Sequence, residues 1–303
     1  MLGISSVYCS KAIEDGGRLL DELAALGFDG VELEYRVRPE TLRQMGRRPG
    51  REIPVFSVHA FFPNPVPAGA QGSGANAFLL SSPERADRDE AVRHGTATLE
   101  VAERLGARAV VLHLGRVPVA EPLLAEYRRL ERAPGPASPA LLAAVAAVLA
   151  ERQRLRAPHL DAVLRALDRL NREALRRGLL LGVENRFHPH EIPLHDEAGA
   201  VLGEFAGGAV RYWHDVGHAL NHQRLGILTQ EAWLEAYGPQ LAGTHLHDIR
   251  GGEDHLAPGT GEADFAAILR HLPADSIRIL ELRPTVPRHE VLAARDRLRA
   301  LGY

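Results

Sequence analysis

The stretch GTHLHD, residues 243–248, ends an apolar run on two histidines and an aspartate, and five other segments are built alike. These segments read VFSVH (55–59), VVLH (110–113), LGVEN (181–185), YWHDVGH (212–218) and ILE (279–281). Apolar runs of strand length are typical of parallel strands that are buried on both faces. Active sites of parallel sheets lie at the carboxyl ends of the strands. Because imidazoles and carboxylates collect at these ends, the sequence predicts a metal site there.

Strand and helix patterns alternate along the whole chain. Strands are predicted at 3–8, 30–35, 53–61, 109–114, 179–185, 210–215, 241–247 and 277–282. Helices are predicted at 11–26, 82–105, 158–177, 262–271 and 287–301. Strict alternation predicts an α/β fold, a (β/α)8 TIM barrel forming one domain over 1–303, with an open doubly wound sheet as the alternative. Long loops are expected after strand three (63–77) and strand four (116–157, an insert).

Composition narrows the class of protein. A hydrophobic fraction of 45% over 303 residues suffices for a large core, and a net charge of −3 gives no general attraction to nucleic acid or membranes. Cys9 is the sole cysteine, which excludes an internal disulfide and favours a cytoplasmic location. We see no secretory signal and no nucleotide-binding glycine motif, so no nucleotide cofactor is expected. The expected partner is a small molecule, with a homo-oligomer left open.

The candidate ligands come from consecutive strands. Alternation along a strand places Asp215 in the lumen and His214 toward the helices, and it places His245 and His247 on one face. A lone histidine at a strand end is usually structural, but six such ends in register favour a divalent ion. Mixed nitrogen and oxygen ligands suit Mn, Zn, Co or Mg. The predicted ligands are Glu184, Asp215, His245, Glu281, His59, His113, His218, Glu253 and His255.

With these motifs the chain resembles the xylose isomerase-like TIM-barrel superfamily, which includes sugar isomerases, sugar epimerases and endonuclease IV. The motifs that carry the resemblance span strands three to eight and include GVEN (182–185), HDVGH (214–218) and EDHLAPGTG (253–261). In the epimerases, the resemblance implies, one ion is held by the matches of Glu184, Asp215, His245 and Glu281, and the two glutamates move protons. In endonuclease IV, all nine predicted positions hold three zinc ions, with Asp in place of Glu253.

We therefore expect a metal-dependent sugar isomerase or epimerase that uses one to three ions and a metal-stabilised enediolate, with Glu184 and Glu281 as catalytic groups. The alternatives are an endonuclease IV-like phosphodiesterase acting on abasic DNA and a non-catalytic carbohydrate-binding barrel. Arginines of the insert alternate with glutamates, which is typical of a solvated helix and not of a DNA track. The predicted substrate contacts are Asn185, Arg186, His247, Arg250 and Phe62.

Overall fold

A computed structural model describes residues 1–63, 76–132 and 135–303 of the chain. Within these ranges eight parallel strands close into a barrel, which confirms the (β/α)8 prediction. Each strand pairs with its sequence neighbours, and β8 pairs with β1 to close the sheet. The strands are β1 Leu2–Ser5, β2 Gly30–Leu33, β3 Val55–His59, β4 Ala109–Leu112, β5 Leu180–Glu184, β6 Val210–Asp215, β7 Leu241–Leu246 and β8 Ile277–Leu280.

Helices surround this barrel and return the chain to the start of each next strand. The two long helices Arg85–Leu105 and Pro139–Arg177 end at Gly106 and Gly178, whose left-handed backbone suits glycine. The helices are α1 Val7–Ser10, α2 Gly16–Ala25, α3 Pro39–Met45, α4 Arg85–Leu105, α5 Glu121–Glu131, α6 Pro139–Arg177, α7 His195–Glu204, α8 Val216–Arg224, α9 Gln230–Tyr237, α10 Phe265–Leu269 and α11 Arg288–Leu301. No helix in the described part of the chain is long and apolar enough to cross a bilayer.

The insert after β4 differs from the loop that the sequence predicted. It folds into α5 and the first half of α6, a 39-residue helix that runs through Pro158, where a helix start was expected. Pro158 cannot donate a backbone hydrogen bond inside the helix. Packing on both sides of it offsets that loss: Val145 packs in a cluster with Tyr127 of α5, whereas Leu167 joins the main core. Residues 64–75 of the other predicted loop lie outside the described residues.

Apolar side chains fill the lower part of the barrel lumen. Trp213 and Ile279 form a buried cluster there, with Phe56 packed against it. A side chain on Gly182 or Gly243 would lie 2.8 or 2.4 Å from the Trp213 ring, so these two glycines make room for the indole. The Trp213 ring lies 5.2 Å from the His245 ring. The candidate ligands therefore rest on an apolar floor, at the carboxyl end of the strands.

Candidate metal centre

Four predicted ligands meet above the apolar floor. Glu184, Asp215, His245 and Glu281 each offer one ligand atom, all of them buried and within 4.8 Å of one another. Nδ1 of His245 lies 2.7 Å from Glu184 Oε1, 3.0 Å from Glu281 Oε2 and 3.7 Å from Asp215 Oδ2. We call this set the central group. Three carboxylates and one imidazole form a mixed donor set that suits Mn, Zn, Co or Mg.

Charge is concentrated in the central group. Burial alone would lower the pKa of His245, but the carboxylates of Glu281 and Glu32 raise it well above its usual value. Burial alone would raise the pKa of Glu184, yet Arg186 and His113 hold it well below the usual range. Burial raises the pKa of Glu281 despite the nearby His245. The two glutamates therefore have opposite tendencies to hold a proton when no ion neutralises them.

A second group adjoins the first and shares Glu184 with it. His59, His113 and Glu184 bring ligand atoms within 4.8 Å of one another, and His113 Nε2 lies 2.8 Å from Glu184 Oε2. Nδ1 of His59 faces the carbonyl oxygen of Ala60 at 3.1 Å. Because a carbonyl only accepts, Nδ1 carries the proton and Nε2 keeps its lone pair for an ion. Burial lowers the pKa of His59 to about 3, which keeps this imidazole neutral.

A third group also adjoins the central group, since His255 Nε2 lies 3.8 Å from Glu281 Oε2 and His218 Nδ1 lies 3.5 Å from Asp215 Oδ1. It consists of His218, Asp254 and His255. Nδ1 of His218 donates to the carbonyl oxygen of Asn185 at 2.9 Å, which leaves Nε2 free as a ligand atom. Nδ1 of His255 lies 3.0 Å from Asp254 Oδ2. Burial works against a charged His255, but Asp254 raises the pKa of this imidazole to about 9.

The structure does not bring Glu253 to the third group, contrary to the sequence prediction. The Glu253 side chain is 58% exposed and forms an ion pair with Arg283. The next residue, Asp254, lies in the third group, where Glu253 was expected. Strand alternation would put 253 and 255 on one face, but His255 has a left-handed backbone with φ of 55°, which breaks the alternation. Non-glycine residues rarely adopt this conformation, and such positions cluster at functional sites.

His247 contacts Asp215, and with Asp215 and His255 it brings one more set of ligand atoms within 4.8 Å of one another. The backbone N–H of His255 donates to Nδ1 of His247 at 2.9 Å, so Nδ1 must be the unprotonated nitrogen. Nε2 then carries the proton and donates to the two carboxylate oxygens of Asp215 at 2.9 and 3.0 Å. His247 has no exposed surface. This hydrogen bond fixes the orientation of the Asp215 carboxylate.

The other predicted substrate contacts have different surroundings. The side-chain carbonyl of Asn185 accepts from the backbone N–H of Asp215 at 2.8 Å, and its amide donates to the Asp215 carbonyl at 2.9 Å. Arg186 is buried in ion pairs with Glu184 and Glu191. Phe62 is 2% exposed and belongs to the core. Of the five predicted substrate contacts, His247, Asn185 and Phe62 are therefore enclosed by protein. Arg186 forms an ion pair with the predicted ligand Glu184.

Arg250 lies outside the central group. It is exposed and donates to the carbonyl oxygen of Thr260. It also lines a cavity of about 1100 Å³ between the insert and the hairpin in which Asp248–Arg250 pairs antiparallel with Glu253–Leu256. Asp254 lines the same cavity. A ligand in this cavity would therefore be in contact with one residue of the third group. Arg250 thus lines this cavity and is not part of the ligand cluster.

Two buried glutamates of β2 and its end were missed. Glu32 and Glu34 have no exposed surface and lie in the segment VELEY (31–35), which was interpreted only as a strand. Glu32 faces His245, with both carboxylate oxygens within 3.2 Å of Nε2. Burial raises the pKa of Glu34 to about 7, although Arg36 opposes the shift. Two acidic residues inside an otherwise apolar strand are the signal that could have found them, since carboxylates are seldom fully buried without a role.

Comparisons with known proteins agree with the architecture. A family model described as xylose isomerase-like TIM barrel matches residues 20–301. No curated protein matches the chain in sequence. Among solved structures, 3-keto-D-glucoside 4-epimerase from E. coli in its apo form is similar at 16% identity and a TM-score of 0.63, with 99% of this chain and 98% of that chain covered.

Two further solved structures have similar scores. D-psicose 3-epimerase from Clostridium cellulolyticum H10, determined with D-tagatose, shares 14% identity with a TM-score of 0.67. A D-psicose 3-epimerase determined in the presence of D-fructose shares 15% identity with a TM-score of 0.68. Both alignments cover 99% of this chain and 98% of the other chain. At this level of identity the likeness shows a common fold.

Proposed function

We propose that this chain, which belongs to the xylose isomerase-like TIM barrel family, is a divalent-metal-dependent isomerase or epimerase of a sugar or sugar derivative. The observation that carries the proposal is the central group, in which carboxylates from β5 and from the end of β8 reach the same imidazole nitrogen. The solved structures of similar fold described above are sugar epimerases by name, which supports the same class. We expect a small ketose, polyol or hydroxy acid as substrate.

An ion held by Glu184, Asp215, His245 and Glu281 would act as a Lewis acid on the substrate carbonyl and favour an enediolate. The protein's own task is then to remove and return a proton at the neighbouring carbon. In the metal-free protein Glu281 has a raised pKa and Glu184 a lowered one, so the two carboxylates already differ in their tendency to hold a proton. Pairs of titratable groups whose pKa values are pushed apart commonly divide acid and base roles in this way.

A second candidate, hydrolysis of a phosphodiester, is favoured by one specific observation. The second and third groups adjoin the central group, and His59 and His218 are already in the tautomer that leaves Nε2 free for an ion. Clusters of two or three ions commonly support the hydrolysis of phosphate esters, because they activate water and neutralise charge. One ion is enough to support an enediolate, so the two additional groups favour the phosphodiesterase over a single-metal isomerase.

The deciding experiment is a parallel assay of metal-loaded protein on two substrate classes. In D2O, ¹H NMR follows loss of carbon-bound hydrogen from a panel of ketoses, and a gel assay follows incision of a duplex with one abasic site. We expect exchange with at least one ketose, reduced about 100-fold or more in Glu281→Gln. Glu204→Gln, an exposed change of the same chemistry, should retain the wild-type rate.

Two other outcomes would overturn the proposal, and a third would remove Glu281 from its role in proton transfer. Metal-dependent incision without hydrogen exchange in any ketose would establish the phosphodiesterase. Ketose binding without turnover of either substrate would indicate a carbohydrate-binding barrel. Exchange that persists unchanged in a folded Glu281→Gln variant would leave an isomerase whose proton transfer does not use Glu281.

A further inference from the structure

Glu32 lies on β2, beneath the ligands and above the apolar floor. Its carboxylate oxygens Oε1 and Oε2 lie 3.2 and 3.1 Å from Nε2 of His245. Ser5 Oγ donates to Oε1 at 3.1 Å, and Ser57 Oγ donates to Oε2 at 2.8 Å. Neither Glu32 nor His245 has any exposed surface. The carboxylate is thus held between β1, β3 and β7 by hydrogen bonds from three directions.

The two ring nitrogens of His245 face different partners. Nδ1 is turned to the carboxylates of Glu184 and Glu281, and Nε2 is turned to Glu32. A carboxylate that has two hydroxyl donors and one imidazole around it is an acceptor, so Nε2 keeps its proton. Nδ1 is then the only ring nitrogen of His245 that can bind an ion. Carboxylate–histidine–metal chains of this kind orient the ring and increase its basicity.

We propose that Glu32 is a positioning residue for the metal centre, which fixes the ring and tautomer of His245 so that Nδ1 faces the ion. This inference rests on the proposed metal-dependent function. A buried carboxylate is costly, since burial alone would have favoured an apolar side chain such as those of Phe56 and Ile279 in the layer below. A role in fold stability alone would not require a charged group. Proteins in which a buried ionic cluster is replaced by well-packed apolar side chains are often as stable as the original.

The test compares Glu32→Gln with Glu34→Gln. Both changes replace a fully buried carboxylate in the same segment by its amide, but Glu34 has no hydrogen bond to His245. Isothermal titration with Co²⁺ or Mn²⁺ measures affinity, and the visible spectrum of the Co²⁺ form reports the geometry at the ion. We expect Glu32→Gln to weaken binding by about 10–100-fold and to change the spectrum. Glu34→Gln should leave the affinity within about twofold of wild type.

Thermal unfolding of the metal-free variants separates positioning from stability. If Glu32 merely stabilises the fold, Glu32→Gln lowers the melting temperature while the affinity of the folded protein stays unchanged, and the proposal fails. A long-range ¹H–¹⁵N spectrum of the metal-loaded wild type should show the His245 proton on Nε2. A proton on Nδ1 would contradict the proposal without any variant. If Glu32→Gln does not fold, Ser57→Ala, which removes one hydroxyl donor to Glu32, should weaken Co²⁺ binding severalfold; unchanged binding would overturn the role.

The same data distinguish failure of this inference from failure of the proposed function. Weaker binding in Glu32→Gln, together with a wild type that exchanges no ketose hydrogen, would support Glu32 and reject the isomerase. Unchanged binding in Glu32→Gln, together with ketose turnover, would support the isomerase and reject Glu32. A wild type that binds no divalent ion would reject both.

Discussion

Binding of one ion to the central group should release at least about one proton at pH 7. Without an ion, His245 has a pKa well above its usual value, because the carboxylates of Glu281 and Glu32 outweigh the effect of burial. Its Nδ1 proton must therefore leave before Nδ1 can bind a metal. Glu184 and Asp215 have lowered pKa values and have no proton to lose, whereas Glu281 has a raised pKa, so any proton that it holds is released in addition to that of His245. Competition with one proton makes the apparent affinity rise about tenfold per pH unit, up to the pKa of His245.

The second and third groups should release different numbers of protons when they bind an ion at pH 7. His59 and His113 have lowered pKa values owing to burial, so an ion bound there displaces no proton at pH 7. His255 has a pKa of about 9, raised by Asp254 against the effect of burial, so an ion in the third group displaces about one. The number of protons released by the first ion therefore separates filling of the second group, which releases none, from filling of the central or third group.

Titration calorimetry in two buffers with different ionisation enthalpies measures the proton count directly. We expect a slope of at least about one proton for the first ion at pH 7, and an affinity that rises from pH 6 to pH 8. Glu281→Gln removes the charge that contributes most to raising the pKa of His245, so its slope should be smaller. A slope of zero with an affinity independent of pH would show either that His245 is neutral in the free protein or that the first ion fills the second group, and both results would contradict the prediction.

Three further predictions concern turnover and stability. Glu281→Gln should reduce turnover about 100-fold or more while metal content, read by mass spectrometry, stays near wild type; metal loss in proportion to activity would contradict this. Arg152→Leu should lower the free energy of unfolding in urea by about 3 kcal/mol, because Glu197 stays buried and keeps only the more distant ion pair with Arg156 at 3.6 Å; a loss under about 1 kcal/mol would contradict this. The metal-free protein should lose stability from pH 6.5 downward, by about 1.4 kcal/mol per pH unit for each proton taken up on unfolding. The reason is that burial lowers the pKa of His214 and His222 to about 3 in the folded protein, whereas the same two histidines bind protons in the unfolded chain. His222→Leu should make this dependence on pH shallower, and an unchanged dependence would contradict the assignment.

The sequence was sufficient to predict the barrel and the end of it at which the ligands gather. Apolar runs that stop on Glu184, Asp215 and His245 determine strand direction and register together, because one end of each run is polar and the other is not. Neighbouring strands align these ends: Asp215 is in register with His245, and Glu281 follows the strand paired with it. Such information is local in the chain, so strand periodicity alone can recover it.

The details that were missed depend on backbone geometry and on distant contacts. Asp254 replaces Glu253 because the left-handed backbone of His255 breaks the strand alternation, and no residue type other than glycine signals that conformation reliably. Glu32 lies 213 positions from His245 in sequence, and nothing near it indicates that partner. The helix through Pro158 is a tertiary effect, since packing outweighs the local preference of proline to end a helix.

Anomalous diffraction from crystals of the Mn²⁺-loaded protein is the measurement that tests the central claim most directly. We predict a strong peak at the carboxyl end of the barrel, with Nδ1 of His245 and one oxygen each from Glu184, Asp215 and Glu281 at about 2.0–2.3 Å from the ion. A map of Mn²⁺-loaded crystals with no peak among these four side chains, or with an ion bound only elsewhere, would contradict it.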